Sequence, residues 1–214
     1  MAGLGALWEA LTGRDKRKAN PDISGLDFVA LDTETTGLDP AVDRILSIGA
    51  LRIRGGRMQV QDTLELYLAQ EHFDQRSVPI HGILRQGDHE RIPEREALLQ
   101  LKAYTEGAVL VGHHVGFDLE MVRQAMRRHG LPPLQNPALD TGLLYRHTLL
   151  KTPLLRKKEH YTLDELAEKF DLSCKDRHTA LGDAYITALA FLKILTRLKE
   201  KRELTLPVLL RLGS

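Results

Sequence analysis

Hydrophobic and polar positions alternate or recur along the chain in ways that separate strands from helices. Phe28 to Thr33, Ile45 to Arg54 and Met58 to Tyr67 are short apolar or alternating runs and read as strands. Gly55 and Gly56 stand between the second and third, where a tight hairpin turn needs positive φ, so these two strands are expected to be antiparallel. Polar residues dominate from Ala69 to Arg91 and predict a loop. Pro93 then opens a helix with Ala97, Leu98, Leu101 and Tyr104 on one face. A short buried strand runs to Val111, and a helix follows from about Phe117 to Arg128, stopped by Gly130 and Pro132. Thr162 and Glu165 have capping-box spacing ahead of Leu163, Leu166, Ala167 and Phe170. A last long helix is expected from near Ala180 to about Lys201. Strands interleaved with helices in this order predict an α/β protein, a mixed sheet covered by helices.

The two ends add amphipathic pieces. Leu4, Leu7, Trp8 and Leu11 recur at helical spacing and are followed by Arg14, Lys16, Arg17 and Lys18. This helix is expected to pack on its own domain, with docking to a partner or a membrane surface as the alternatives. The Leu-rich end from Leu204 to Leu212 is likewise expected to pack on the core. With no internal repeat and no Gly/Ser linker, the expected organisation is an N-terminal helical extension over 1–25, one domain over 26–201 and a packed tail over 202–214.

Composition narrows the class. A chain of 214 residues is long enough for one sizeable core. Its net charge of +1 leaves no broad field for gripping long duplexes, so any nucleic-acid contact should be local. The single cysteine, Cys174, excludes an internal disulfide and points to a reducing compartment, here expected to be the cytoplasm. No run approaches ~20 consecutive apolar residues, so no membrane span is expected.

The first strand ends on two acids. Asp32 and Glu34 are two residues apart and point to the same face of an extended chain. Ionised side by side they repel, which leaves two readings: a hard cation such as Mg²⁺ or Mn²⁺ shared between them, or a solvated strand edge. Asp118 lies in the first turn of a helix directly after a buried strand, where α/β proteins present functional groups, although the helix dipole alone also favours an acid there. In RHTALGDA, His178 and Asp183 would lie about 140° apart on a helix, so they share a site only if His178 is on the preceding loop. Asp183 then falls on a helix face with Ile186, Thr187 and Ala190, where an unpaired carboxylate is costly and a cation would remove the cost. Four acids and an imidazole are the ingredients of two-metal phosphoryl hydrolysis, in which ions ~3.5 to 4 Å apart activate a water and stabilise the leaving oxygen. An imidazole with an ordinary pKa of about 6.5 takes up a proton near neutral pH.

In their order and separation, ALDTETTGL, GHHVGFD and RHTALGDA closely resemble the motifs of the DEDDh group of 3′→5′ exonucleases, the DnaQ-like family that includes the proofreading epsilon subunit of bacterial DNA polymerase III. The resemblance covers roughly Leu26 to Leu198. It implies a ribonuclease H-like fold with a central mixed sheet of about five strands flanked by helices. It also implies two divalent cations, Mg²⁺ or Mn²⁺, held by Asp32, Glu34, Asp118 and Asp183, with His178 as general base. A sister group has a tyrosine with three residues before the last Asp; the four residues between His178 and Asp183 fit the histidine branch.

By the same resemblance, Thr35, Thr36 and Gly37 wrap a 3′-terminal nucleotide and Leu38 wedges against its base, while His81 and Ile83 of VPIHGI lie nearby. A turn and a loop histidine explain these two stretches equally simply. One departure is His114, which follows His113 where the family usually has Asn. The implied activity is release of nucleoside 5′-monophosphates from the 3′ ends of DNA, preferably single-stranded or frayed. The alternatives are an RNA 3′→5′ exonuclease or oligoribonuclease-like enzyme and, in another class, a non-catalytic nucleic-acid or polymerase-binding adaptor. A DNA polymerase is a possible partner, but a stand-alone enzyme is expected because the chain ends soon after its last helix. Asp140 is expected to cap a helix, Asp164 and Asp176 to be surface acids, and Arg156, Lys157 and Lys158 to be a solvated cluster or a guide for single-stranded substrate.

Overall fold

In chain order the elements are β1 (Asp27–Thr35), β2 (Ile45–Arg54), β3 (Arg57–Ala69), the short helix α1 (Val78–His81), β4 (Arg91–Pro93), α2 (Glu94–Thr105), β5 (Val109–Gly112), α3 (Gly116–Arg128), β6 (Ala138–Asp140), α4 (Thr141–Arg146), α5 (Leu163–Phe170), α6 (Ala180–Lys199) and α7 (Leu206–Gly213). The computed structural model describes residues 23–71, 74–84, 89–149 and 158–214. The expected N-terminal helix and Arg156 and Lys157 lie outside the described residues.

The sheet order is β4-β3-β2-β1-β5-β6. β1, β2 and β3 form an antiparallel meander, and β5 joins β1 in parallel, as β6 joins β5. Gly55 and Gly56 carry φ of 57° and 70°, the pair of positive values a two-residue hairpin turn demands. The sheet therefore has six strands where about five were expected. Four of them coincide with strands read along the chain; the two that were not read are β4, which pairs in parallel with the end of β3 inside the stretch read as a loop, and β6, which pairs in parallel with β5 just before α4. Three residues, Arg-Ile-Pro, are too few to show a period. Pro93 is tolerated because it sits at the sheet's edge, where no ladder donor is needed.

Alternation along β1 sends its side chains into two cores. Phe28 and Ala30 join Leu51, Ile53, Val109 and Val111 under the Phe191, Ile194 and Leu198 face of α6. Val29 and Leu31 join Ile48, Ala50 and Leu110 against Leu98 and Leu101 of α2 and Met121, Val122 and Met126 of α3. Helices thus cover both sheet faces, and β1 is buried from both sides, which explains its apolar run. Leu206, Leu209 and Leu212 of α7 enter the α6-side core, as does Ile23. The expected capping box is present: Thr162 accepts from the Glu165 backbone, and the Glu165 carboxylate accepts from the Thr162 N–H.

Gly49 sets how closely α6 approaches the sheet. It pairs with Asp32 across β1 and β2, and a Cβ there would lie 2.1 Å from the Ala180 carbonyl carbon at the start of α6. Backbone cannot retreat as a flexible side chain can. Gly49→Ala should therefore cost about 1 to 3 kcal/mol by overpacking and lower the melting temperature by several degrees. An unchanged melting curve would mean that the helix start does not bear on this position.

Candidate active site

The alternation that builds the two cores also distributes the acids. Past Leu31, β1 turns polar without changing register, so Asp32 and Glu34 face α6 with Phe28 and Ala30, while Thr33 faces α3. α6 brings Asp183 on its first turn to the same place. Asp32, Glu34 and Asp183 each offer an oxygen, and the three oxygens lie within 4.8 Å of one another. Asp118, only 4% exposed in the first turn of α3, sits beside them. Its Oδ1 accepts from the Thr33 backbone N–H at 2.9 Å and from the Thr33 hydroxyl at 2.6 Å. One strand therefore presents two acids on one face and holds the third from the other.

Electrostatics tie the four acids into one unit. Burial pushes Asp32 well above the ordinary carboxylate range, and the charges of Asp118, Asp183 and Glu34 add to it. Glu34 is raised to about 7, first by burial and then by Asp183. Asp118 is raised to about 7 by burial, which outweighs its bonds from Thr33. Asp183 is raised by burial against the opposing pull of Arg177. A set of converging carboxylate oxygens, costly to ionise without a counter-charge, matches the donors that Mg²⁺ and Mn²⁺ prefer.

His178 occupies the turn before α6, as the five-residue spacing required. It is exposed, adopts φ of 65°, and donates its backbone N–H to Asp183 Oδ1 at 3.4 Å. The Thr179 side chain caps the helix by accepting from the Gly182 N–H at 3.1 Å. Gly182 is needed bare, because a Cβ would lie 1.9 Å from the Asp176 carbonyl oxygen. The turn carrying His178 is thereby folded against the helix that carries Asp183.

Arg177 is a site residue that sequence reasoning passed over. Its Nη1 donates to Asp183 Oδ2, its Nε donates to Asp164 Oδ1 at 2.6 Å and its Nη2 to Asp164 Oδ2 at 3.2 Å. Asp164 is on the surface, as expected, but it also anchors this guanidinium. The one available signal was the position of Arg177 next to His178 within the same motif.

The expected substrate residues are placed unevenly. Thr36 is 2% exposed; its hydroxyl donates to Asp43 Oδ1 at 2.7 Å and accepts from the Arg44 N–H at 3.0 Å. A Cβ on Gly37 would lie 2.5 Å from Asp43 Oδ2, and the Thr35 hydroxyl donates to the Gly37 carbonyl at 2.7 Å. These three residues close the loop after β1. Leu38 at that loop is 84% exposed. His81 is buried, with Nε2 2.9 Å from Ser77 Oγ and Nδ1 accepting from the Ile83 N–H at 2.9 Å. Both ring nitrogens are engaged inside the turn around α1, and burial lowers its pKa. Ile83 is also buried.

Near β5, His113 Nδ1 lies 2.9 Å from the Thr141 hydroxyl, and burial drives its pKa down to about 4. His114 adopts φ of 57° and packs its ring 4.5 Å from that of His113. Asp140 caps α4 by accepting from the Leu143 N–H at 3.0 Å. Its second oxygen accepts from the Val115 N–H at 3.1 Å, so it also fixes the turn that leads into Asp118.

Comparison with known proteins places this arrangement. The RNase_T exonuclease family model matches residues 29–191, a span that includes Asp32, Glu34, Asp118, His178 and Asp183. A DNA polymerase III PolC-type protein of Thermotoga maritima is 32% identical over 173 residues, which is 81% of this chain and 12% of that one. A DNA polymerase III subunit epsilon-like protein of Rhodobacter capsulatus is 34% identical over 193 residues, 88% of this chain and 26% of that one. This chain thus spans a minor part of both relatives. The structure of E. coli exonuclease I in complex with a dT13 oligonucleotide superposes with a TM-score of 0.70 at 20% identity, covering 82% of this chain and 42% of that one. That likeness shows the fold, an α/β ribonuclease H-like exonuclease sheet flanked by helices.

Proposed function

The chain belongs to the RNase_T exonuclease family, and from that membership we propose that it is a 3′→5′ exonuclease releasing nucleoside 5′-monophosphates from DNA, preferably single-stranded or frayed. The observation that carries this reading is the convergence of Asp32, Glu34 and Asp183 within 4.8 Å beside Asp118. These four acids would hold two divalent cations, Mg²⁺ or Mn²⁺, which when bound activate a water and stabilise the leaving oxygen. His178, exposed on the turn that Asp183 holds by a hydrogen bond, takes the proton from the attacking water. The exposed Leu38 packs against the terminal base, and the loop closed by Thr35, Thr36 and Gly37 positions it. His81 and Ile83 shape the neighbouring wall from inside.

Organisation follows the same reading: an exonuclease domain over 26–201, with 202–214 as a helical tail packed on it through Leu206, Leu209 and Leu212, and 1–25 as an extension. Among the described residues no helix is long and apolar enough to cross a membrane. A replicative DNA polymerase is the proposed partner class, on the strength of the relatives' names.

Incubation with Mg²⁺ and 5′-labelled single-stranded DNA, single-stranded RNA and a duplex with a mismatched 3′ end tests the proposal. The label should remain on a ladder that shortens from the 3′ end, fastest for DNA. Faster shortening of RNA would move the substrate class to RNA, and full-length, undegraded oligonucleotide for every substrate in both Mg²⁺ and Mn²⁺ would leave only a binding role. His178→Ala should lower kcat by about 10²- to 10⁴-fold and alter the acid limb of the pH profile while Mn²⁺ binding persists. A normal profile in that variant would remove His178 from the role of base.

A further inference from the structure

Arg177 is the one cation in direct contact with the acid cluster among the described residues. Its guanidinium reaches Asp183 with one nitrogen and grips both oxygens of Asp164 with two others. The side chain is 17% exposed and Asp183 8%, so the pair is mostly withdrawn from water, while Asp164 is 60% exposed. The Arg177 charge acts beyond its contact, opposing the raised proton affinities of Asp32 and Glu34. The oxygen it takes, Asp183 Oδ2, belongs to a carboxylate that converges with Asp32 and Glu34.

A carboxylate oxygen cannot serve a guanidinium and a divalent cation equally well, since both are positive and each needs the lone pairs aimed at it. The grip on Asp164 is different: it lies outside the converging oxygens and survives if the contact with Asp183 is broken. We propose that Arg177 holds the cation's place on Asp183 in the metal-free protein, yields it when a divalent ion binds, and, still anchored by Asp164, presents its charge to the phosphate backbone of the incoming strand. The inference rests on the nuclease reading above and adds a positioning residue to it. Two divalent ions would balance the four carboxylates, and Asp164, 60% exposed and screened by water, would offset the guanidinium only in part, so that Arg177 still offers positive charge to a phosphodiester. A planar fork suits a phosphate as well as it suits a carboxylate.

Direct Mn²⁺ binding by titration calorimetry without nucleic acid tests this independently of turnover. Arg177→Gln removes the competing charge and should tighten Mn²⁺ binding by roughly three- to thirtyfold, as expected for loss of one nearby charge partly screened by water. Arg177→Lys keeps a cation but not the fork, and should fall between wild type and Gln; it also serves if the Gln variant does not fold. Both variants should raise KM for an oligonucleotide several-fold more than they lower kcat. Equal or weaker Mn²⁺ binding in the variants overturns the inference while leaving the nuclease reading intact. Folded wild-type protein that takes up no Mn²⁺ overturns both.

Discussion

Asp32→Asn is expected to reduce nuclease activity by about a thousandfold or more while raising the melting temperature of the metal-free protein. The two effects come from the same surroundings. Asp32 lies among Asp118, Asp183 and Glu34, and burial together with their charges opposes its ionisation. An amide of the same shape removes that repulsion. It also removes a cation ligand at the centre of the site, and with it several kcal/mol of stabilisation of transition-state charge. Melting curves with and without Mn²⁺ separate the effects: wild type should gain much more from the ion than the variant. Activity near the wild-type level in Asp32→Asn would remove the assignment of the site.

The second large effect is a pH dependence with an unusual sign. Glu34 and Asp118 titrate at about 7 in the folded protein, against ordinary values of 4.5 and 3.8. In that window the folded state binds more protons than the unfolded state, so metal-free stability falls as pH rises toward and through about 7. Each tenfold gain in proton affinity corresponds to about 1.4 kcal/mol, so two strongly raised acids contribute several kcal/mol before their coupling is counted. His113, lowered to about 4 by burial, acts in the opposite direction at acid pH. The decline should therefore be cleanest above about pH 6.5, past the ordinary histidine range. Mn²⁺ or Mg²⁺ should reverse the slope, because the ions bind the ionised acids and displace their protons. Metal-free melting temperatures that stay level or rise from about pH 6.5 to 8 would contradict the raised proton affinities of Glu34 and Asp118.

What could be read from the chain alone divides along physical lines. Period and punctuation revealed the hairpin at Gly55 and Gly56, the helix faces of α2 and α5, the extent of α3, and the split between a loop His178 and a helical Asp183. Those features are local, so their causes lie within a few residues of their effects. β4 escaped because its reason to exist is the open edge of β3, on the far side of a long polar stretch. Thr33 escaped for a similar reason: between two acids it reads as a spacer, yet its hydroxyl and N–H hold Asp118 from 85 residues away. Arg177 had chemistry to notice, but its partners Asp183 and Asp164 come from two different helices. Thr36 and His81 show the opposite case, in which polar residues marked for substrate are engaged within their own loops.

The position of β1 has a consequence for how damage to this protein would be felt. Its backbone is paired on both sides, to β2 and β5, and its side chains are covered by helices on both faces. Two of the four acids ride on that strand and a third hangs from it, so the site cannot open locally in the way a loop-borne site can. Substitutions in α2 and α7, the covering helices that carry none of those acids and no partner of Arg177, should change how many molecules are folded at a given moment and leave each folded molecule's catalytic power alone. Losses of activity in such variants should then follow abundance, and recover with whatever restores the fold.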